Sequence, residues 1–377
     1  MPAPASAPSL RAALLSPCYW PEVRRGTERF VRELADGLVG RGQRPTLITS
    51  HPGAPTRRTE AGMTVLRLPR PPQGRLRRRH FDPYLTHLPL SYGALRLGDY
   101  DLAHAVYPTD AVAAARWQRR TGRPAVFSFM GIPDRRGLRE FRGRLELMLR
   151  AVHGASAVVA LSLHAAEAFR RWLGWEARVI PPGVALAAFV PAQTRACVPT
   201  IVCSAAADVP RKNVGLLVSA FALVRRELPA ARLVLSRPRE LEAARRAGVD
   251  VDAAGVEWLD LDDRGRLARA YGEAWTAVLP SSDEAFGLVL VEALACGTPA
   301  VGYAHGGIPE VLDRPGIGVL FEDLDRRVLA DALLEALELA DDPGTVARCR
   351  SRAEDFSSDR CAERYLSLYR ELAAAER

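Results

Sequence analysis

Directly after a short apolar run ending at Leu279, residues 281–299 read Ser-Ser-Asp-Glu-Ala-Phe-Gly-Leu-Val-Leu-Val-Glu-Ala-Leu-Ala-Cys-Gly-Thr-Pro. Polar residues at the carboxyl end of a strand lead straight into an apolar helix, and in an open parallel sheet that edge is where ligands bind. The backbone N–H groups around Phe286, Gly287, Leu288 and Val289 then face the edge, where a helix start favours an anion. Glu292 is the one charged residue between Ala285 and Cys296, five positions beyond Gly287 and so about 7.5 Å along a helix axis. A lone carboxylate on an apolar helix needs a partner, and hydroxyl groups are suitable ones. Glu284 in the loop and Glu292 in the helix, with anion capacity between them, are spaced for a sugar nucleotide: ribose hydroxyls on one acid, sugar hydroxyls on the other and the diphosphate at the helix start. The same spacing also fits a Glu284 that only complements the helix dipole and a Glu292 that pairs with one of the many arginines.

Arg211-Lys212-Asn213 lies between a strand spanning 200–204 and the helix that follows, again at a carboxyl edge. Two cations at a helix start oppose the dipole unless an anion joins them, and a phosphate resolves that conflict. Of 52 basic residues, Lys212 is the one lysine. Ammonium is a compact point charge where guanidinium is a broad fork, so a site that needs the smaller group keeps lysine even in an arginine-rich chain. Chance placement at one of the basic positions is the competing explanation.

The elements that must carry these residues follow from periodicity. Short apolar runs at 10–15, 46–49, 63–68, 102–106, 125–129, 157–161 and 177–180 read as buried strands, several with helical segments between them. Phe30, Leu34 and Leu38 mark the first helix, closed by Gly40 and Gly42. The stretch 190–199 holds two prolines and no helical period, after which the pattern restarts with strands at 200–204, 232–235 and 276–279 and a helix over 213–227. A final helix over 359–375 places Ala362, Tyr365, Leu366, Tyr369 and Leu372 on one face, with Ser358 as its N-cap. The expectation is α/β: two doubly wound parallel-sheet domains, residues 1–189 and 200–357, joined by a linker at 190–199 and followed by a closing helical segment, 358–377.

At 377 residues, with 48% hydrophobic and 25% charged residues, the chain has the balance of a folded protein with more than one core. No apolar run approaches the ~20 residues of a membrane helix, and no leader is evident, so a cytoplasmic location is expected. Six scattered cysteines without C-x-x-C spacing read as reduced thiols, several of them in the core. The net charge of +8 points to an anionic partner without choosing among nucleic acid, an acidic membrane and a phosphorylated ligand.

The run from Glu284 to Pro299, continuing to Gly306-Gly307-Ile308-Pro309-Glu310-Val311, closely resembles the E-x7-E signature region of retaining glycosyltransferase family 4, whose fold is GT-B. Arg211-Lys212-Asn213, the turn at 179–184, Arg25-Gly26-Thr27-Glu28-Arg29 and the closing 356–369 segment resemble further motifs of that family, in the family's order. The resemblance implies two Rossmann-like domains facing a central cleft, with the last helix crossing back to the N-terminal domain. The donor would be held mainly by the C-terminal domain and the acceptor mainly by the N-terminal one. Carried over residue by residue, Arg211 and Lys212 would bind the donor diphosphate, with Gly26 contributing from the first loop. Glu292 would hold the ribose, and Glu284 with the Phe286, Gly287, Leu288 and Val289 backbone the transferred sugar and its phosphate. Arg211, Lys212 and Glu284 are therefore the expected catalytic set. No metal and no separate cofactor are implied, the nucleotide sugar being a co-substrate.

Several ligand-facing positions depart from the family. The usual Gly-Gly of the first loop is Arg25-Gly26, an arginine usually six residues before the lysine is Ala206, and the glycine-rich turn after the donor domain's second strand is Ser236-Arg237-Pro238. Where many members carry histidine, this chain has Met130 in Ser128-Phe129-Met130-Gly131, so no catalytic histidine is carried over. Arg25, His104, Met130 and Gly131 remain acceptor-side positions, and His104, which begins a related motif, reads equally as a structural residue. Asp99-Tyr100-Asp101 matches a metal-binding D-x-D but precedes a strand, and reads as a surface turn. Arg75, Arg77, Arg78, Arg79 and His80 form one basic stretch, and Arg135, Arg136, Arg139, Arg142 and Arg144 another. Leu138, Phe141 and Leu145 run through the second at helical spacing, which permits membrane-surface contact, although a solvated face is the favoured reading.

The activity expected is transfer of a sugar from a nucleotide sugar to a hydroxyl of a small-molecule or glycan acceptor, without a nucleic-acid partner and with the oligomeric state open. A nucleotide-sugar 2-epimerase shares the architecture and would turn over without acceptor. A non-enzymatic basic binding protein for nucleic acid or anionic lipid would instead bind with steep salt dependence and no nucleotide competition.

Overall fold

The structure, a computed structural model, describes residues 9–20, 22–23 and 26–375. In chain order its elements are β1 (Ala12–Leu15), α1 (Gly26–Gly40), β2 (Thr46–His51), β3 (Thr56–Glu60), β4 (Met63–Pro69), α2 (Gly74–Arg78), α3 (His87–Leu97), β5 (Leu102–Ala105), α4 (Pro108–Thr121), β6 (Ala125–Ser128), α5 (Arg144–Gly154), β7 (Ala157–Ala160), α6 (Leu163–Leu173) and β8 (Arg178–Val179). There follow β9 (Thr200–Cys203), α7 (Val214–Glu227), β10 (Arg232–Ser236), α8 (Leu241–Arg246), β11 (Val256–Leu259), α9 (Arg264–Glu273), β12 (Thr276–Leu279), α10 (Leu288–Ala295), β13 (Ala300–Tyr303), β14 (Gly318–Phe321), α11 (Arg326–Leu339), α12 (Thr345–Glu354) and α13 (Ser358–Ala375). They form two compact units, one made of the chain up to Gly183 together with the segment from Ser358 onward, the other of Val184–Ser357.

The first unit is built on an eight-stranded sheet of order β3-β4-β2-β1-β5-β6-β7-β8. Every pairing is parallel except β3 against β4. Side chains alternate faces along a strand. Ala12, Leu14, Leu47, Val65 and Leu102 thus join the core beneath α1 and α13, while Ala13, Leu15, Ile48, Ala103 and Ala105 join the opposite one, beneath α4 and α5. Two buried faces explain why these strands read as unbroken apolar runs. Gly37 of α1 sits so close to α13 that a Cβ there would stand 2.5 Å from Ala362 Cβ.

Of the two readings of His104, acceptor-side and structural, the fold bears out the structural one. His104 is 1% exposed, stacks on Tyr365 with centroids 5.1 Å apart, and uses both ring nitrogens, Nδ1 with Tyr369 Oη (2.6 Å) and Nε2 with Ser128 Oγ (2.7 Å). Burial pushes its pKa down to about 3, so the ring stays neutral and ties α13 to β5 and β6. No ring nitrogen is left for an acceptor.

The second unit has a six-stranded parallel sheet of order β11-β10-β9-β12-β13-β14. The stretch 190–199, expected as the linker, is fastened to this unit. Ala196 N–H donates to the Glu273 carbonyl (2.9 Å), and the Ala196 carbonyl accepts the Trp275 indole N–H (2.9 Å). Just upstream, Val184 N–H donates to the Phe356 carbonyl (2.8 Å), and Phe189 is fully buried with its carbonyl bound by Arg350 (3.0 Å). Pro191 and Pro199 therefore stiffen a strap laid along the unit, and the division falls at Gly183/Val184, ahead of the expected linker. Five of the six cysteines are buried and all six are free thiols. No helix among the described residues is long and apolar enough to cross a membrane.

Candidate active site

In the second unit β10 and β11 lie on one side of β9 and β12 on the other, so the strand order reverses between β9 and β12. A ligand crevice opens at such a switch point, outside the carboxyl ends of the strands. The loop after β9 carries Arg211 and Lys212, and the loop after β12 carries Glu284, so the topology alone brings together groups 72 residues apart. Lys212 Nζ donates to Glu284 Oε2 at 2.5 Å, and Arg211 Nη1 lies 3.8 Å from the same oxygen. The lysine and glutamate side chains are 16% and 20% exposed, the arginine 51%, so the pair is partly screened while the guanidinium reaches into solvent.

Backbone contacts hold the two loops in register. Ser282 N–H donates to the Arg211 carbonyl (3.0 Å), and the Asn213 amide donates to the Pro280 carbonyl (2.9 Å). Residues 210–212 form a single 3-10 turn that ends at Asn213, whose φ of 52° lies in the left-handed region that asparagine tolerates. Beyond Glu284, Gly287 at φ 97° turns the chain into α10, which presents its N-terminus beside the cluster. The Gly306–Gly307 segment buttresses the Glu284 loop. Gly307 N–H donates to the Glu284 carbonyl (2.8 Å), and a Cβ on Gly306 or Gly307 would stand 2.4 Å from the Glu284 carbonyl oxygen or 2.5 Å from that of Ala285. The sequence marks these glycines only through the family motif; their physical role rests on this close approach. Phe286 is buried with its ring edge-on to Phe356 at 5.0 Å, so its side chain anchors the loop and its backbone is what a ligand can meet.

Glu292, one turn into α10, is fully buried. A glutamine there keeps the shape and removes the charge. We expect Glu292→Gln to raise the donor KM about tenfold, the ~1.5 kcal/mol of one lost charge-assisted hydrogen bond, with the thermal unfolding midpoint little changed. An unchanged KM in steady-state kinetics would remove Glu292 from donor recognition. Ala206, in the place of the family arginine, is exposed after β9 and leaves that position without a cation.

In the first unit the strand order reverses between β1 and β5. Gly26 opens α1 there, and among the described residues nothing stands within 4 Å of where its Cβ would be, so the backbone is open to an approaching group. Arg25 lies outside the described residues. Sequence reasoning attached no chemistry to Glu28, yet it is fully buried in the first turn of α1 and accepts a hydrogen bond from Tyr107 Oη (3.0 Å), joining the loops after β1 and β5. Met130 is half-buried against the α1 and α13 core, and Gly131 is half-buried beside Phe129. Asp99 and Asp101 are engaged by arginines, Asp101 by Arg11 Nη2 (2.7 Å) and Asp99 by Arg123 Nη1 (3.0 Å), as fits a surface turn.

Two parallel α/β sheets, each with a switch point at its carboxyl edge, define the GT-B class, and solved structures agree. Sucrose-phosphate synthase from Thermosynechococcus elongatus superposes with a TM-score of 0.82 at 23% identity, over 97% of this chain and 100% of that one. HepE from Anabaena, solved in complex with UDP and glucose, gives 0.73 at 17% identity over 95% and 99%. The profile described as Glycosyltransferase Family 4 matches residues 24–188, and that described as Glycosyl transferases group 1 matches residues 193–356. A D-inositol 3-phosphate glycosyltransferase from Xylanimonas cellulosilytica is 31% identical over 91% of both chains. One from Kineococcus radiotolerans is 37% identical over a stretch that spans only about half of each chain, 53%. The chain belongs to the group 1 glycosyltransferases and is a sugar-transferring enzyme.

Proposed function

We propose that this glycosyltransferase takes its sugar from a nucleoside diphosphate sugar and passes it, with retained anomeric configuration, to a hydroxyl of a small-molecule or glycan acceptor. The observation that carries the reading is the cluster of Lys212, Arg211 and Glu284 at the switch point of the second sheet, beside the N-terminus of α10. Two cations and a helix start converge where a diphosphate would leave, and Glu284 is the acceptor of hydrogen bonds nearest to them. The complex of HepE with UDP and glucose supports the donor class, and relatives whose names specify transfer to D-inositol 3-phosphate support a polyhydroxylated acceptor. The acceptor is assigned to the first unit, at the edge that carries Gly26, Met130 and Gly131, and the reaction to the cytoplasm.

In the proposed step the bond from the anomeric carbon to the diphosphate breaks while the acceptor oxygen bonds to the same face of that carbon, and the hydroxyl proton passes to the departing diphosphate. Lys212, Arg211 and the α10 N–H groups stabilise the charge that develops on the leaving group. Fixed cations supply this stabilisation without a metal, so we expect EDTA to leave the rate unchanged. Abolition by EDTA with recovery on Mg²⁺ or Mn²⁺ would refute metal independence. The reading itself is tested by incubating the enzyme with a panel of sugar nucleotides and polyol acceptors and following the anomeric proton by NMR. Formation of a glycoside with the donor's anomeric configuration is the expected result; inversion, or turnover that needs no acceptor, overturns it.

A further inference from the structure

The two basic stretches of the first unit meet in space. Both leave the carboxyl edge of its sheet, one after β4 through α2 and the other after β6. Phe81 and Arg142 form a parallel bridge, Arg142 N–H donates to the His80 carbonyl (2.6 Å) and Arg144 Nη2 donates to Asp82 (2.8 Å). Together residues 75–82 and 134–144 hold nine arginines against three carboxylates, an excess of six positive charges in a chain whose net charge is +8.

The face is set apart by how many cations it gathers in one place without counter-charge. Some exposed arginines elsewhere are paired with acids, as Arg150 is with Glu146, Arg170 with Glu167 and Arg245 with Asp252. On this face Arg75, Arg77, Arg78, Arg79, Arg135, Arg136 and Arg139 are exposed, and among the described residues none has a carboxylate within ion-pair distance. Like charges crowded without counter-charge repel one another, and an anionic partner relieves that cost.

We propose that this face docks on the surface of an anionic lipid bilayer. A single phosphate is satisfied by two or three cations, so seven outward arginines fit an extended array of negative charge. A single-stranded nucleic acid offers such an array but is gripped with exposed aromatic rings as well. Here the rings of Phe81 and Phe141 are covered by the guanidiniums of Arg142 and Arg144 at 5.4 and 4.6 Å from their centroids. The exposed apolar group is aliphatic, Leu145 at 44%, a small anchor that suits the bilayer interface.

The test is co-sedimentation of the full chain with vesicles of phosphatidylcholine alone or mixed with phosphatidylglycerol. Binding is expected to the mixed vesicles only, and to disappear as salt is raised. At about fivefold per arginine, R77S/R78S/R135S/R136S should bind on the order of 100- to 1,000-fold more weakly, while R150S/R170S/R245S, which removes paired arginines, should bind within a few fold of the parent. Leu145→Ala should weaken binding a further few fold. All variants change exposed side chains, so circular dichroism and thermal unfolding should match the parent. Equal binding to neutral vesicles, no binding to anionic ones at low salt, parental binding by the four-arginine variant, or preference for a single-stranded oligonucleotide over anionic vesicles would each overturn the proposal.

Discussion

Lys212→Ala is expected to lower kcat/KM by at least ~2 kcal/mol, about 30-fold, and to do so mainly through kcat. The ammonium sits 16% exposed at the switch point, held by Glu284 at 2.5 Å on a 3-10 turn whose carbonyl and side-chain contacts bind it to the neighbouring loop. A cation so placed acts chiefly on charge that appears as the diphosphate departs, which is why the loss falls on the chemical step. Lys212→Arg should also be impaired. A planar guanidinium does not reproduce the compact point charge that Glu284 holds at 2.5 Å. Folded Lys212→Ala enzyme with near-parental kcat/KM would place the donor elsewhere.

The second large effect concerns Glu284, the counter-charge of the two cations proposed to hold the donor. Replacing it by glutamine leaves Lys212 and Arg211 uncompensated. The free nucleoside diphosphate should therefore bind more tightly, by about 1 kcal/mol or roughly fivefold, the usual worth of a partly exposed ion pair. Transfer should fall in the opposite direction, with kcat down by ~2 kcal/mol or more, because Glu284 orients Lys212 and, in the proposed site, is the carboxylate that meets the sugar. This split, tighter product binding with slower turnover, distinguishes a residue that shares its cations with the ligand from one that merely supports the loop, which would weaken both. Calorimetry with the diphosphate and steady-state kinetics with the sugar nucleotide read the two halves.

The parallel sheets were legible because their central strands are buried on both faces and read as apolar runs; the run at Thr276–Leu279 coincides with β12. The strands that escaped have reasons. β3, Thr56–Glu60, carries Arg57, Arg58 and Thr59 exposed on an antiparallel edge and has no apolar alternation. β13 and β14 contain Gly302 and Gly318, which weaken a strand pattern; a Cβ at these positions would stand 2.4 Å from Ile308 Cγ2 and 2.1 Å from the Ala300 carbonyl oxygen. The strap over 184–199 imitates a linker through its prolines, while its anchors, Phe189 and the Trp275 indole, declare themselves only in three dimensions.

For the site, the spacing Glu284 to Glu292 and the single lysine were readable as separate signals at two sheet edges. That Lys212 and Glu284 face each other was not, since it depends on β12 lying next to β9, a pairing that no local pattern encodes. His104 stands as the converse: its motif allowed the acceptor side and a structural place equally, and Tyr365 and Tyr369, more than 230 residues away along the chain, take it into the core.

Whether a nucleoside diphosphate binds at Lys212, Arg211 and the start of α10 is decided by thermal unfolding of the parent and Lys212→Ala proteins across a panel of nucleoside diphosphates. At 100 times its Kd the matching nucleotide should stabilise the parent by ~2.7 kcal/mol, raising its unfolding midpoint measurably, and the shift should shrink or vanish in Lys212→Ala. A panel that leaves the parent's midpoint unmoved, or one that shifts both proteins equally, would place the donor site away from Lys212.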